Sequence, residues 1–496
     1  MPDLTGHTAW ILAEHLTHKN PVLDGAARVL IVESEAALTR GRVHRQKLHL
    51  ILVAMRSFAH ELRERGVVVD VRRAPSFAAG VAEHRRENGG FDVRVLQPTG
   101  PEARERAAAM TGVRVVPGSL FLTSDTQFDA WAADRKSLVM EGFYRSQRQR
   151  LGVLMNGNVP EGGTWNFDKE NRGKPPAATR PPETWRPTEG EIDRQIRHEL
   201  QGREISFGSD GPRRFPATAA EATAALADFI EHRLPQFGRW QDAMLQGERV
   251  LWHSGLAVAM NLGLLDPMDA VQAAEAAYRE GSAPIASVEG FVRQIIGWRE
   301  YVRALFARLE DDWTGMNALG ADRPLPDLFW GGPTEMRCMS DAIGGLQQAA
   351  YSHHIERLML FGNLQLLLGV RPDEALAWFH DTHIDGHAWV MAPNVLGMAL
   401  HADGGRMMTK PYAASGAYVN RMSDHCTGCR YTPSRREGPD ACPLTTLYWD
   451  FLARHQERFA ANHRMSLALR NLDRIPPMEL ARIRAQADDL RVDFNA

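Results

Sequence analysis

Short apolar runs alternate with polar, Ala- and Arg-rich stretches over the first quarter of the chain. The runs are "AWILAE" (9–14), "RVLIVE" (28–33), "VVVDVRR" (67–73), "VRVLQP" (93–98) and "VRVVPG" (113–118). They are rich in β-branched residues and have the length of strands. Between the second and third, "RQKLHLILVAMRSFAHELRERG" (45–66) repeats apolar residues at three- and four-residue steps and stops at Gly66, which predicts a crossover helix. Strands alternating with helices predict a parallel, Rossmann-like α/β domain over residues 1–130. No G-x-G-x-x-G follows the first run, where "ILAEHL" stands, so a dinucleotide site of that kind is not expected.

Residues 152–216 change character, within a connection placed at 131–216. "GNVPEGGTWNFDKENRGKPPAATRPPETWRPTEGE" is dense in Gly, Pro and charge, and reads as an extended interdomain connection. Its "GGTWNFDKENR" carries more aromatic and carboxylate content than a spacer needs. From 217 to 496 the spacing predicts a large all-helical domain. "GFVRQIIGWREYVRALF" (290–306) puts Phe291, Ile295, Trp298, Val302 and Leu305 on one stripe and leaves Arg293, Arg299, Glu300 and Arg303 off it. "LQQAAYSHHIERLMLFGNLQLLLG" (346–369) and "RPDEALAWFHDTHID" (371–385) continue the pattern.

With 496 residues, 44% hydrophobic and 24% charged, the chain suits two globular domains. It has no apolar run long enough to span a bilayer, and residues 1–20 lack a basic start followed by an apolar core, so a cytoplasmic location and no membrane partner are expected. A formal net charge of −3 excludes a globally basic nucleic-acid coat and leaves room for a local basic face.

Four cysteines in so long a chain do not make a disulfide framework. Cys426 and Cys429 form C-x-x-C, Cys442 follows immediately before Pro443, and Cys338 lies far upstream. Arg421, Arg430 and Arg435 nearby are expected to favour thiolates. A ligand on a separate helix suits an embedded iron-sulfur cluster better than a zinc ribbon, but spacing alone leaves cluster, zinc and plain buried thiols open.

"GFVRQIIGWREYVR", "YSHHIERLMLFGN", "AWFHDTHIDGHAWVMAPNVLGM" and "TKPYAASGAYVNRMSDHCTGCRY" follow in the order of the cryptochrome/photolyase family. They resemble the prokaryotic (6-4) photolyases, also called iron-sulfur bacterial cryptochromes and photolyases. The resemblance runs from "ILAEHL" through "RKSLVMEGFYR" to "LYWDFLARH" and is densest over residues 285–455. It implies an N-terminal antenna domain, a C-terminal helical domain holding U-shaped FAD, and light-driven electron transfer into a flipped-out (6-4) lesion of UV-damaged DNA. It also implies a 4Fe-4S cluster on Cys338, Cys426, Cys429 and Cys442, in a monomeric protein.

Residue by residue, the resemblance makes His354, beside His353, the histidine next to the lesion, where a near-neutral imidazole gives and recovers a proton. Arg357 and Asp385 match the ion pair flanking the flavin ring. Ser254, Gly255 and Leu256 in "WHSGLAV", then Gln294, Trp298, Arg299, Asn363, Trp389 and Asn394, match further flavin contacts. Trp378 and Trp330 match the electron route from the surface. Arg145, Arg148, Arg150, Lys410 and Arg421 are expected to meet DNA phosphates. Tyr412 and Tyr418 are expected to line the base pocket with Trp298. Asp168 and Asp242 match acidic positions for Mg²⁺.

Four departures stand out. Phe379 replaces a common tyrosine, Met391 an acidic residue near the flavin, "ILAEHL" the usual Gly-Asp-Gln, and Ala37 an acidic antenna position. They leave the antenna pigment, 6,7-dimethyl-8-ribityllumazine or another, unassigned. They also keep two alternatives in view: a cryptochrome-like light sensor without repair, and a non-photochemical iron-sulfur DNA-binding protein.

Overall fold

The five apolar runs form strands β1 (His7–Trp10), β2 (Ala26–Ser34), β3 (Val69–Ala74), β4 (Val93–Leu96) and β5 (Val113–Val116). They make one sheet in the order β3-β2-β1-β4-β5, with every neighbouring pair parallel. The computed structural model describes residues 6–494 apart from 175, 177, 178, 204, 206, 310–312 and 314. Alternation within the strands sends Ala9, Val29 and Ile31 toward Leu48, Leu52 and Val53 of the helix Arg45–Glu64. Trp10, Leu30, Val32, Val93 and Val95 point the other way, onto Val81. Both faces are therefore covered, as an all-parallel sheet requires. The strand order reverses between β1 and β4, which is where such a sheet opens a crevice at its C-terminal edge.

The connecting segment is more built than its composition suggests. Helices Met140–Leu151 and Glu191–Gln201 interrupt it, the first packing on residues 293–299 and the second on the helix Arg45–Glu64. Each buries a short apolar face, Phe143 and Tyr144 in one, Ile196 and Leu200 in the other. Gly152 ends the first helix at φ +68°, a left-handed C-terminus that glycine adopts without a Cβ penalty.

The 290–306 stripe is buried, but its off-stripe charges are buried as well. Arg293 meets Asp168 at 3.2 Å and Glu289 at 3.3 Å. Glu300 accepts the Thr123 amide at 2.8 Å, and Arg303 donates to the Thr123 carbonyl at 2.6 Å. Apart from the face at Gln294, Trp298 and Arg299 that opens onto a cavity, the helix is enclosed, so the polar face expected at a surface instead clamps neighbouring segments. Lys47 ties the two halves together: its buried ammonium donates to the carbonyls of His380 (2.6 Å) and Gly386 (2.8 Å). Among the described residues no helix is long and apolar enough to cross a membrane.

Candidate functional site

Three π-turns, Arg293–Arg299, Arg357–Gly362 and Pro393–Ala399, converge on one cavity of about 920 Å³. A π-turn inserts a residue into the helical phase and swings its side chains out of register. Here it delivers Gln294, Trp298 and Arg299 from the first, Arg357 from the second and Asn394 from the third.

Arg357 donates through Nη1 to Asp385 Oδ1 at 2.9 Å and through Nε to the Ser352 carbonyl at 2.6 Å. Both partners of the ion pair line the cavity, so the guanidinium is held in place from behind while facing it. Arg299 lies 4.0 Å over the Phe121 ring and 5.3 Å from Trp389, and Trp389 meets Phe121 edge-on at 4.9 Å. Ser254 and Gly255 line the wall. The Ser254 hydroxyl accepts the Leu256 amide at 3.3 Å, and Gly255 takes φ +69°. Leu256 faces a small side recess shared with Ser254 and Gly255. Asn363 stands behind the wall: its amide pairs with the Ala414 backbone in both directions at 2.9 Å, holding the Ala413–Ala414 lining.

His354 lines the cavity, as does His253. His353 is fully buried and stacks on His253, rings 4.8 Å apart and 13° from parallel. The His354 ring is exposed to the cavity, and desolvation followed by the Arg357 charge draws its pKa below that of a free imidazole. Burial pushes His253 to about 3, and His353 goes the same way.

Trp378 is fully buried, and its indole donates to the Phe329 carbonyl at 2.9 Å. Phe379 lines the cavity and touches Trp378 edge-on at 4.8 Å, so an apolar, hard-to-oxidise ring stands where the resemblance leads one to expect tyrosine. Trp330 is half-buried beneath Arg42 and against Phe207. Met391 lines the cavity.

Lys410, Tyr412, Tyr418 and Arg421 line the same cavity, with the exposed Arg421 guanidinium 5.4 Å over Tyr418. Arg172 and Lys174 complete a basic rim, and sequence reasoning missed them. The cations of "DKENRGK" within the connection were the available signal. The expected phosphate role of the 145–150 arginines is corrected for Arg148. It is fully buried and donates to the carbonyls of Trp165 (3.0 Å), Val153 (3.4 Å) and Leu154. Arg145 pairs with Glu141 at 3.0 Å, and Arg150 with the Leu122 carbonyl at 2.9 Å and Gln147, so both brace the connection.

Asp168 and Asp242 both line the cavity. Burial, then Asp168, raises the Asp242 carboxyl to about 6. Burial opposes ionisation of Asp168 too, but Arg293 and Arg172 overcome it and pull its pKa down. Asp168 is thus already neutralised by two guanidiniums, leaving one open carboxyl rather than the pair expected for Mg²⁺. Among the described residues, no three His, Cys, Asp or Glu groups are close enough to share one metal ion.

Cys338, Cys426, Cys429 and Cys442 nonetheless line a single small cavity with His425, Gly416 and Tyr431. Burial, then Cys442 and Cys429, pushes the Cys426 thiol up to about 11. Two of the three arginines expected to assist have carboxylate partners of their own, Arg430 in Glu335 and Arg435 in Asp440. Arg337, next to Cys338, instead staples the C-x-x-C turn by donating to the Thr427 carbonyl at 2.8 Å.

Residues 9–212 match the family model described as deoxyribodipyrimidine photo-lyase-related protein. A (6-4) photolyase of Agrobacterium fabrum is 41% identical over 483 residues, 92% of this chain and 93% of that protein. An uncharacterized protein of Acanthamoeba polyphaga mimivirus is 30% identical over 110 residues, 22% of this chain and 82% of its own length. Among solved structures, a bacterial class III photolyase from Agrobacterium tumefaciens superposes with a TM-score of 0.57 at 17% identity, covering 84% of this chain and 86% of that one. That likeness is one of fold. The extent and level of identity over nearly the whole length go further: the chain belongs to the (6-4) photolyase family.

Proposed function

We propose that this protein is a light-driven (6-4) photolyase that takes a flipped (6-4) lesion of UV-damaged DNA into the 920 Å³ cavity. The observation that carries this reading is one cavity combining the Arg357–Asp385 pair, His354 and a rim of Arg172, Lys174, Lys410 and Arg421.

The residues fit FAD. Arg299 Nε is a buried donor without a hydrogen-bond partner, and the cavity volume is at the upper end for small-molecule sites. Bound FAD would supply light absorption and the electron. Arg357, braced by Asp385 and Ser352, offers a fixed positive charge to the negative charge of a reduced ring. Trp389, Trp298, Phe379 and Met391 form an apolar wall that excludes water. Ser254 and Gly255 suit the phosphate end, and Gln294 and Asn394 the ring edge. Tyr412 and Tyr418 offer faces for an unstacked base, and the rim cations track the backbone. His354 moves the proton, Trp378 and Trp330 carry the surface electron route, and Asp242 is the one carboxyl left for Mg²⁺.

For the cysteines, a single zinc ion with bonds of about 2.3 Å would draw its sulfurs to within about 3.8 Å of one another. Four sulfurs that share a cavity without any three being close enough for one ion fit a larger body, a 4Fe-4S cluster. It would brace the segment carrying the rim residue Arg421. An antenna pigment would belong at the C-terminal edge of β1 and β4, and the division 1–130, 131–216 and 217–496 is the working domain plan.

Phe379 and Met391 on the cavity wall favour a second reading, a light sensor. Reduced protein incubated with a (6-4)-containing oligonucleotide in the dark and under blue light separates the two. Light-dependent restoration of the bases is expected. Flavin photoreduction without restoration selects the sensor, and a protein that purifies without flavin overturns both.

A further inference from the structure

Behind the cavity histidines lies a buried polar cluster that no contact accounts for. Glu356 is 1% exposed, and its carboxyl oxygens have no side-chain hydrogen-bond partner, only the influence of the nearby His353 amide. Both ring nitrogens of the buried His353, Ser352 Oγ and Nε2 of His253 also lack hydrogen-bond partners. His353 Nε2 lies 3.9 Å from Glu356 Oε2, too long for a direct hydrogen bond and suited to a bridging water. His353 stacks on His253, which shares the cavity with His354. Buried polar groups in native proteins are rarely left unsatisfied, and clustered exceptions mark internal water or a working proton site.

We propose that Glu356 is the proton store of this site, a buried carboxylic acid that hands its proton through His353 to His354 and takes it back. The inference rests on the repair reading and deepens it.

The cations near Glu356 each have a carboxylate of their own. Arg249 is bound in a fork to Asp341 at 2.8 and 3.0 Å, and Asp341 also meets His425 at 3.3 Å. Arg357 is bound to Asp385. Among the described residues, the cations that act on Glu356 are already paired and do not compel it to ionise. Burial accordingly raises its pKa to about 8, with Asp341 adding to the rise and Arg249, Arg357 and the His353 amide opposing it. His354 is exposed to the cavity, and desolvation and then the Arg357 charge lower its pKa. The buried carboxyl is thus the group that keeps a proton in reserve for it. In the step, the Glu356 O–H bond breaks and leaves a carboxylate, the His353 ring passes one proton on, and an N–H bond forms on His354 to give imidazolium. The return transfer restores both groups, and no electrons move. Proton delivery is lost as pH rises through about 8 and Glu356 ionises.

Infrared spectroscopy of the holoprotein from pH 6 to 9.5 reads this directly. A protonated carboxylic acid band titrating near 8 is expected, missing in Glu356→Gln and moved in Glu356→Asp. In parallel, Glu356→Gln is expected to slow light-dependent repair about a hundredfold and to abolish the pH dependence, with Glu356→Asp restoring part of both. Absence of any carboxylic acid band at pH 7 in the wild-type protein overturns the proposal, and needs no variant to fold. So does a Glu356→Gln protein with the wild-type rate and pH profile. A wild-type protein that shows the band but repairs nothing overturns the repair function instead.

Discussion

Gly416 opens the helix Gly416–Met422 directly against the cysteine cavity. A Cβ at this position would lie 2.7 Å from Cys442 Sγ and 3.0 Å from Thr445 Oγ1. Ordinary carbon contacts begin at about 3.5 Å, so Cys442 Sγ has to retreat by about 0.8 Å, several times the ~0.2 Å tolerance of a metal-ligand distance. Thr445 cannot give way, because its hydroxyl accepts the Gly416 amide at 3.0 Å and donates to the Pro433 carbonyl at 2.7 Å. Cys442 cannot swing freely either, since it precedes Pro443 at the start of the helix Pro443–Arg454. Overpacking costs about 1–3 kcal/mol, and replacing a helical glycine by alanine returns up to about 1 kcal/mol. If the proposed cluster sits on these cysteines, Gly416→Ala is therefore expected to fold with a modest loss of stability but to lose the iron, measured as iron and sulfide per chain, visible absorption and Tm. Gly344→Ala is the control: it sits on the helix carrying Cys338 with nothing within 4 Å of the new Cβ, and should keep its iron. Wild-type iron content in Gly416→Ala, or equal loss in both variants, refutes the steric reasoning; a wild-type protein without iron refutes the cluster.

Trp378→Phe is expected to slow light-driven flavin reduction about tenfold or more while costing about 1–2 kcal/mol for the hydrogen bond to Phe329. Phe379→Tyr should speed the same reduction, and unchanged rates in both variants would remove this route. On the rim, Arg172→Ala and Arg421→Ala should each lower the slope of log K against log salt by about 0.9 per lost phosphate contact for duplex DNA, as titrated by fluorescence anisotropy. Arg148→Ala should instead destabilise the fold by about 3 kcal/mol or more, because it strands three carbonyls; urea unfolding distinguishes the two outcomes.

The five strands were legible because each is a short β-branched run bounded by turns, and the helix Arg45–Glu64 because its period is regular. The cavity was legible mainly where motif residues coincide with it, as at Arg357, Asp385, His354 and Trp389. Arg148 was not, since one arginine in "YRSQRQR" looks like the next until packing buries it. Nor were the contacts of Arg293 with Asp168 and of Glu300 and Arg303 with Thr123, which join segments more than a hundred residues apart that only folding brings near.

By itself the sequence determined the element types, the fold class and the set of four sulfurs, because propensity, periodicity and residue identity are local properties. Only the tertiary structure decided which arginines face the cavity and which are spent on carbonyls. It alone buried Glu356 while leaving His354 open to the cavity. Desolvation and Coulomb interaction depend on burial and through-space distance, and both are set by segments that the chain order keeps far apart.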